Sequence, residues 1–195
     1  MSDAGLDVHS ELVERGALLH GHFRLSSGRH SSQFVQKFRI LEDPSLLEPV
    51  AREIAEHFRD VSPTVVVSAA IGGVLLGYEV ARQLGTKAIF VEKENGVPVL
   101  RRGFALSPTD HALVVEDVVT TGLSVREVID VVRRRGAQVV GVGVIVLRQA
   151  QDEIVGVDNI QLYALLELPL RSYGEDECPQ CRAGEPITDP GSRRS

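Results

Sequence analysis

The chain has 195 residues, 43% hydrophobic and 25% charged, which is ordinary for one globular domain with room for a small appendage. Its net charge of −6 argues against nucleic acid as the main partner, and no apolar stretch approaches the ~20 residues of a membrane span. The first residues lack the basic segment and apolar core of a signal peptide, so we expect a cytoplasmic protein without nucleic-acid or membrane partners.

The N-terminal segment, residues 1–40, is predicted to hold a short helix and a hairpin, which we call the hood. Residues 7–15 have apolar side chains at helical spacing and end at Gly16. Residues 18–25 and 33–38 alternate apolar and polar side chains on either side of a glycine-containing turn. This pattern is typical of two antiparallel strands.

A core is predicted over residues 41–170, and it begins with a helix over residues 46–58. The helix has a continuous apolar stripe, as expected of a helix that packs against a sheet. Ser45 and Glu48 have the spacing of a capping box at its beginning.

A paired glycine follows the first predicted core strand, residues 64–67. Gly72 and Gly73 lie between that strand and a helix over residues 74–84. Glycines in this position let backbone N–H groups approach a ligand closely. A plain tight turn is the alternative interpretation.

A charged hairpin, residues 92–103, follows the next predicted strand, residues 88–91. Asn95 and Gly96 between two extended arms are a strong signal for a two-residue turn. Such an exposed hairpin can move as a lid over a site. A surface hairpin without function is the alternative.

Residues 111–124 combine a strand, an acid pair, a hydroxyl-rich loop and the start of a helix. The apolar residues 112–115 predict a buried strand, and Glu116 and Asp117 follow where that strand should leave the sheet. The loop at residues 120–124 then leads into a helix N-terminus, which suits a phosphate, while the carboxylates suit ribose hydroxyls and a divalent cation. The alternative is a generic turn whose carboxylates only cap the helix.

A nearly continuous apolar run over residues 138–147 predicts a central parallel strand that ends at Arg148. An arginine at this edge of the sheet, next to the acid pair, is well placed for a bidentate contact with a ligand carboxylate. Pairing of Arg148 with Glu116 or Asp152 is the alternative.

The C-terminal tail, residues 171–195, follows a last predicted strand and contains Cys178 and Cys181 at Cys-x-x-Cys spacing. The pair supplies two zinc ligands, whereas a structural zinc site needs four, and all six histidines lie upstream. We therefore expect a structural tail, partly disordered beyond about Pro186. A zinc site shared across a dimer and a redox pair are the alternatives.

Strands alternate with helices from residue 64 onward. The alternation predicts an α/β fold with a mostly parallel central sheet flanked by helices, and with the small N-terminal hood beside it.

The stretch at residues 111–124 resembles the ribose-5-phosphate loop of the type I phosphoribosyltransferases, enzymes that use phosphoribosyl pyrophosphate (PRPP). The resemblance implies their fold, catalytic roles for Glu116, Asp117 and Lys93, and Mg²⁺ held mainly through PRPP and possibly by Asp117. It also implies PRPP-binding residues in three segments. These are the loop that contains Gly72 and Gly73 (the glycine loop), the charged hairpin of residues 92–103 (the lid) and residues 118–124 (the phosphate loop). Besides Glu116, Asp117 and Lys93, the implied residues are Gly72, Gly73, Arg101, Arg102, Val118, Val119, Thr120, Thr121, Gly122, Leu123 and Ser124.

The hood is similar to that of the orotate phosphoribosyltransferases within this family. Phe34 falls on the first of their two aromatic positions, but Val35 replaces the second, and Ser26 stands where many relatives carry a PRPP-binding lysine. The resemblance implies that Phe34, Thr120 and Arg148 bind orotate, with a plain core role as the alternative for Phe34. The matching hood residues are Phe23, Leu25, Ser27, Gly28, Arg29 and Ser31.

Two loops depart from the orotate pattern. Ile71 and Gly72 stand where many of those enzymes have a tyrosine and a lysine, and Glu92 stands where their lid has an arginine. Lys93 is the best match to the lysine of that lid.

The resemblance implies transfer of ribose 5-phosphate from PRPP to orotate, giving orotidine 5′-monophosphate and pyrophosphate in pyrimidine biosynthesis. It also implies a homodimer in which each lid completes the partner's site. The alternatives are a phosphoribosyltransferase for a purine base and a non-catalytic, PRPP-sensing regulator of transcription. The negative net charge counts against the regulator.

Overall fold

The computed structural model describes residues 7–25, 28–148, 159–169 and 171–190. The sequence-based expectations for Ser26, Ser27 and Asp152 lie outside these ranges.

The N-terminal segment forms a helix, α1 (Val8–Glu14), and the two-stranded hood, β1 (Leu18–Arg24) and β2 (His30–Val35). The strands are antiparallel, as their alternating pattern predicts. A short helix that the sequence analysis did not predict, α2 (Phe38–Leu41), follows two residues later. The hood therefore leads directly into the core through a short connection.

The central sheet has six strands, which alternate with helices along the chain. In chain order they are β3 (Val65–Ala69), β4 (Lys87–Glu94), β5 (Val97–Leu100), β6 (His111–Val119), β7 (Gln138–Leu147) and β8 (Leu162–Glu167). The order across the sheet is β5-β4-β3-β6-β7-β8, and every adjacent pair except β4–β5 is parallel. The predicted mostly parallel sheet is confirmed.

Helices cover both faces of the sheet. Two of them, α3 (Pro44–Phe58) and α4 (Gly73–Leu84), share one apolar cluster with the strand residues that point to their side. The helix α5 (Leu123–Arg134) shares a second cluster with the strand residues of the opposite face. Side chains of the parallel strands are divided between these two clusters, so both faces of the sheet are buried and the fold has three layers. None of the helices in the described residues has the length and apolar character needed to cross a membrane.

The beginning of α3 corrects the predicted capping box. Asp43, not Ser45, caps the helix, because its carboxylate accepts a hydrogen bond of 2.9 Å from the backbone N–H of Ser45. Pro44 occupies the first helical position, where the fixed φ of proline suits the helix and no N–H is needed.

Two glycines in β7 let α3 pack closely on the sheet. A Cβ atom at Gly141 would overlap the ring of Phe58, and one at Gly143 would lie 2.5 Å from Ile54 Cγ2. Both α3 side chains are fully buried, so neither can move aside without disturbing the core.

We therefore expect Gly141→Ala to lower the free energy of unfolding by about 1–3 kcal/mol, the usual cost of overpacking a core. Urea unfolding followed by circular dichroism measures this change. Gly174→Ala is the matched control, because a Cβ there meets nothing within 4 Å. Equal stability of the two variants would contradict the packing argument.

The tail folds back onto the hood. Tyr173 and His30 exchange backbone hydrogen bonds of 2.8 and 2.9 Å beside β2, and Thr188 accepts from the backbone N–H of Arg24 and donates to the carbonyl of His22 beside β1. Thr188 therefore lies beside β1, whose backbone offers hydrogen-bond partners to that segment. The expected partial disorder beyond about Pro186 stays a prediction. Residues 191–195 lie outside the described ranges.

Candidate active site

Three parallel strands bring their carboxyl ends to one edge of the sheet. β3 leads to α4 and then to β4 on one side, whereas its neighbour β6 leads to α5 and then to β7 on the other. The two connections diverge, and such a switch point opens a crevice in which ligands of α/β proteins bind. The sequence-predicted glycine pair, acid pair, phosphate loop and Arg148 all belong to this edge.

The acid pair lies inside β6, not beyond its end. β6 continues to Val119 because its backbone pairs with β7 as far as Val119 and Leu147. Glu116 is 7% exposed and Asp117 1% exposed. The structure therefore places two adjacent carboxylates in the sheet itself, where burial changes their chemistry.

Lys37 reaches the acid pair from the hood. Its ammonium lies 3.0 Å from Asp117 Oδ1 and 2.9 Å from Oδ2, and only the contact with Oδ1 has hydrogen-bond geometry. The backbone N–H of Val118 donates a second hydrogen bond of 2.6 Å to Oδ1. Asp117 Oδ2 is thus buried, has an electrostatic contact with Lys37 and accepts no hydrogen bond from the described residues. It can accept one from a ligand or bind a cation.

Sequence analysis missed Lys37 as a site residue. The residue follows β2 where no motif marks it, and it is 80 residues from Asp117 in the chain. The only available signal was a lysine at the point where the hood joins the core.

Burial and the negative charge of Asp117 raise the pKa of Glu116 from 4.5 to about 8. Two influences act in the opposite direction, the hydrogen bond from the Asp117 backbone N–H and the charge of Lys37. Glu116 therefore carries a proton at neutral pH in the free chain, and the site favours ligands that bring positive charge or hydroxyl groups to the pair.

The raised pKa gives a pH-dependent stability. The folded chain binds this proton more tightly than the unfolded chain, so its stabilising contribution is complete below pH 4.5 and is lost as pH rises through about 8. Glu116→Gln keeps the neutral form at every pH. We expect the variant to match the parent near pH 4.5 and to become more stable than the parent by pH 9, by a few kcal/mol at most.

Chemical unfolding at a series of pH values measures this difference. Glu56→Gln, at an exposed position on α3, is the control and should follow the parent throughout. A constant difference between Glu116→Gln and the parent across this pH range would contradict the assignment.

The glycine loop packs directly against the acid pair. A Cβ atom at Gly72 would overlap Asp117 Oδ2 and lie 2.5 Å from Lys37 Nζ, and one at Gly73 would lie 3.2 Å from Glu116 Oε1. Glycine is needed at position 72 because the ion pair of Lys37 and Asp117 occupies the space of a side chain.

Two helix N-termini open at this edge without a side-chain cap. Gly72 precedes α4 and Gly122 precedes α5, and within the described residues neither helix has a side-chain hydrogen bond from its N-cap residue. Gly122 has a φ of 75°, a left-handed conformation that glycine adopts easily. Thr120, Thr121 and Ser124 beside it are exposed. Backbone N–H groups at helix beginnings, hydroxyls and the helix dipole are features that suit an anion, so the predicted phosphate contacts stay a prediction.

Arg148 follows β7 and donates its backbone N–H to the carbonyl of Val119 at 2.9 Å, so it lies beside the end of β6. The residue is 8% exposed, and its Nε has no hydrogen-bond partner in the described part of the chain. Desolvation lowers the pKa of the guanidinium. The alternative pairing with Glu116 is absent among the described residues, whereas Asp152, the other alternative partner, lies outside them. Within the described residues the buried guanidinium therefore has no acidic partner.

The lid hairpin forms as predicted, with Asn95 and Gly96 in its turn at φ values of 50° and 81°. Its cations pair with acids of the same chain. Lys93 lies 2.8 Å from Glu127 of α5, and Arg102 lies 3.0 Å from Glu92. Arg101 lies 3.2 Å from Glu94 and 3.6 Å from Glu92. All three cations are exposed, and the contacts of a single chain do not bring them to the acid pair.

Phe34 is half-buried in β2, with its ring centroid 5.9 Å from that of Phe23. The aromatic pair stiffens the hood. No described contact joins Phe34 to Arg148, so its role in binding a base stays a prediction.

Comparison with known proteins agrees with this geometry. Residues 39–159 match the phosphoribosyl transferase domain family. The orotate phosphoribosyltransferase of Chlorobaculum parvum is 48% identical over 91% of this chain and 91% of its own length. That of Pelotomaculum thermopropionicum is 47% identical over 92% of this chain and 93% of its own length.

Among solved structures, the crystal structure of orotate phosphoribosyltransferase from Aeropyrum pernix superposes with a TM-score of 0.67 at 29% identity. The match covers 83% of this chain and 93% of that one. The similarity therefore extends over the core and the hood.

Proposed function

Because the chain belongs to the phosphoribosyltransferase family, and within it to the orotate phosphoribosyltransferases, we propose that it transfers the ribose 5-phosphate of PRPP to orotate. The products are orotidine 5′-monophosphate and pyrophosphate, and the reaction belongs to pyrimidine biosynthesis in the cytoplasm.

The observation that carries the choice of base is the buried guanidinium of Arg148. A cation at 8% exposure without a side-chain partner in the described residues costs free energy unless a ligand supplies the opposite charge. Orotate has a carboxylate that a guanidinium can bind in a bidentate manner, whereas purine bases have none. Thr120 at the edge of β6 and Phe34 in the hood are the further candidates for contacting orotate.

The ribose 5-phosphate is assigned to the edge formed by β6 and α5. Backbone N–H groups and hydroxyls of residues 118–124 bind the 5-phosphate, and Glu116 and Asp117 orient the ribose hydroxyls. Displacement at the anomeric carbon passes through an oxocarbenium-like state, so positioning and charge stabilisation by these groups supply most of the catalysis.

The carboxylate pair also suits Mg²⁺, a hard cation that prefers oxygen ligands, because Asp117 Oδ2 is buried and accepts no hydrogen bond in the described part of the chain. The ion would be held mainly through PRPP, with Asp117 as the candidate protein ligand. When bound, it supplies positive charge that offsets the charge of the leaving pyrophosphate.

Lys37 takes the position of the cation that the glycine loop lacks. Its ammonium lies where a side chain at position 72 would begin, directly beside Gly72 and Gly73. A pyrophosphate bound to these backbone N–H groups therefore meets the ammonium of Lys37. This assignment explains how a loop with Ile71 and Gly72 can serve PRPP without a lysine of its own.

The lid supplies the remaining charge in a homodimer. Lys93, Arg101 and Arg102 are exposed and pair with acids of the same chain, of which Glu94 is exposed and Glu92 and Glu127 are partly buried. Ion pairs with an exposed cation contribute little stability. Breaking these ion pairs therefore costs little free energy, so the three cations can instead contact the pyrophosphate bound to a neighbouring subunit. Lys93 is the candidate catalytic cation.

The test is the loss of orotate absorbance when PRPP and Mg²⁺ are added to the purified chain. We expect orotate to be consumed with release of equal amounts of orotidine 5′-monophosphate and pyrophosphate, and we expect no turnover of adenine, guanine or hypoxanthine. Faster turnover of a purine base would overturn the choice of base. Binding of PRPP without turnover of any base would favour the PRPP-sensing regulator.

A further inference from the structure

Four metal-binding side chains meet at the contact between the hood and the tail. His22 and His30 lie on the two strands of the hood. Cys178 immediately precedes the short helix α6 (Pro179–Arg182) of the tail, and Cys181 lies within it. The histidines and cysteines are 148 to 159 residues apart in the chain, so only the fold brings them together.

The ligand atoms have the spacing of a tetrahedral site. His22 Nε2 lies 3.1 Å from His30 Nδ1, 3.5 Å from Cys178 Sγ and 3.6 Å from Cys181 Sγ. His30 Nδ1 lies 3.2 Å from Cys181 Sγ, and all four atoms lie within 4.8 Å of one another. A zinc ion with bonds of ~2.0 Å to nitrogen and ~2.3 Å to sulfur gives about 3.3 Å between nitrogens and about 3.5 Å from nitrogen to sulfur.

The cluster is enclosed. His22 is 5% exposed, His30 3% and Cys178 1%, while Cys181 is partly exposed. The two thiols and two imidazoles contact one another, but these hydrogen bonds are weak because a thiol is a weak donor and a weak acceptor. An ion at the centre satisfies all four at once.

A backbone carbonyl orients His22 for such an ion. Nδ1 of His22 lies 2.9 Å from the carbonyl oxygen of Glu185, and a carbonyl can only accept, so Nδ1 carries the proton. In the tautomer with its only proton on Nδ1, Nε2 has a lone pair that faces the cluster. This second hydrogen bond to the free ring nitrogen is the usual support of a metal-bound histidine.

Hydrogen bonds between the tail and both strands of the hood hold the four ligands in place. The tail pairs with β2 at Tyr173 and with β1 at Thr188, and the amide of Gln180 donates to the carbonyl of Gly21 at 3.1 Å. The two cysteines have the Cys-x-x-Cys spacing of structural zinc sites, and the histidines provide the missing half of the set. An isolated two-stranded hairpin is only marginally stable, so a metal here would stabilise the hood.

We propose that His22, His30, Cys178 and Cys181 bind one structural Zn²⁺ that fastens the tail to the hood. The site is separate from the acid pair, and the proposal does not depend on the proposed enzymatic activity. Because β2 leads directly to Lys37, the ion would also hold the strand that positions this lysine.

The test is the metal content of the full chain, produced without a histidine tag and purified in the presence of a phosphine reductant. We expect about one zinc per chain by plasma mass spectrometry, retained through gel filtration. Replacement by Co²⁺ should give the intense visible absorption of a tetrahedral site and the charge-transfer absorption of thiolate ligands. Removal of the metal should lower the Tm by about 10 °C, and added Zn²⁺ should restore it.

Single variants assign the ligands. Cys178→Ser and Cys181→Ser should weaken the thiolate absorption, and His22→Gln should lose the stoichiometric metal. His20→Gln, on the same strand but outside the cluster, should bind like the parent. If the variants do not fold, the metal content and the cobalt spectrum of the parent still show whether the chain binds a metal ion through thiolate ligands. Zinc below about 0.1 per chain after reconstitution, or a Cys178–Cys181 disulfide that survives the reductant, would overturn the proposal.

Discussion

Arg148→Met is expected to lower kcat/KM for orotate by about 10³-fold or more, while PRPP binding stays within about threefold of the parent. The reason is that methionine fills the space of the arginine but leaves the carboxylate of the base without a partner in a buried site. Steady-state kinetics with both substrates and calorimetric titration with PRPP measure the two effects separately.

The same variant should be more stable than the parent. Arg148 is buried, desolvation lowers its pKa, and its Nε lacks a partner in the described chain, so replacing it with an apolar side chain removes an unfavourable charge. We expect a rise in Tm of about 2–4 °C. A purely structural arginine would give a fall in Tm, and this fall together with unchanged orotate kinetics would contradict the assignment.

Arg133→Met is the control for this variant, because Arg133 is exposed near the end of α5. We expect its kinetics to equal those of the parent and its stability to change by less than about 0.5 kcal/mol.

Lys37→Met is expected to lower kcat/KM for PRPP by about 10²-fold, with a much smaller effect on the KM for orotate. The ammonium lies beside the glycine loop, to which the leaving pyrophosphate is assigned, and it also contacts Asp117. The free energy of unfolding should also fall by about 1–3 kcal/mol, because Asp117 loses its partner.

Comparison of Lys37→Met with Lys37→Arg separates the effect of this residue on stability from its effect on catalysis. Arginine retains the charge, so it should restore most of the stability and part of the PRPP kinetics. Arg39→Met, which removes an exposed cation of α2 two residues away, is the control and should be unchanged. PRPP kinetics of Lys37→Met within twofold of the parent would exclude Lys37 from the site.

The sequence predicts the architecture well because the signals are local. Buried parallel strands appear as apolar runs, helices as stripes that end at glycine, and the hairpin turn as Asn95 and Gly96. The elements of the core, their alternation and the parallel sheet followed from these patterns. The capping residue Asp43 was missed because Ser45 and Glu48 have a competing local pattern two residues later.

The site could be predicted only in its contiguous part. Residues 116–124 form one run, whereas Lys37 joins it from 80 residues away, and the cluster of His22 and Cys178 closes over 156 residues. Such contacts depend on how the hood and the tail pack, which no local spacing encodes. Burial of Glu116 within β6 was missed for a related reason, because the length of a strand depends on its neighbour β7.

The most direct test of the account compares kcat/KM for orotate with kcat/KM for uracil, which differs from orotate by lacking the carboxylate. If the buried guanidinium of Arg148 binds the carboxylate of the base, kcat/KM for uracil should be about 10⁴-fold lower than for orotate. With uracil bound, Arg148 would stay desolvated without a ligand carboxylate. We predict turnover of orotate and essentially none of uracil. Similar values for the two bases, or turnover of neither, would contradict the claim that this chain selects orotate through Arg148.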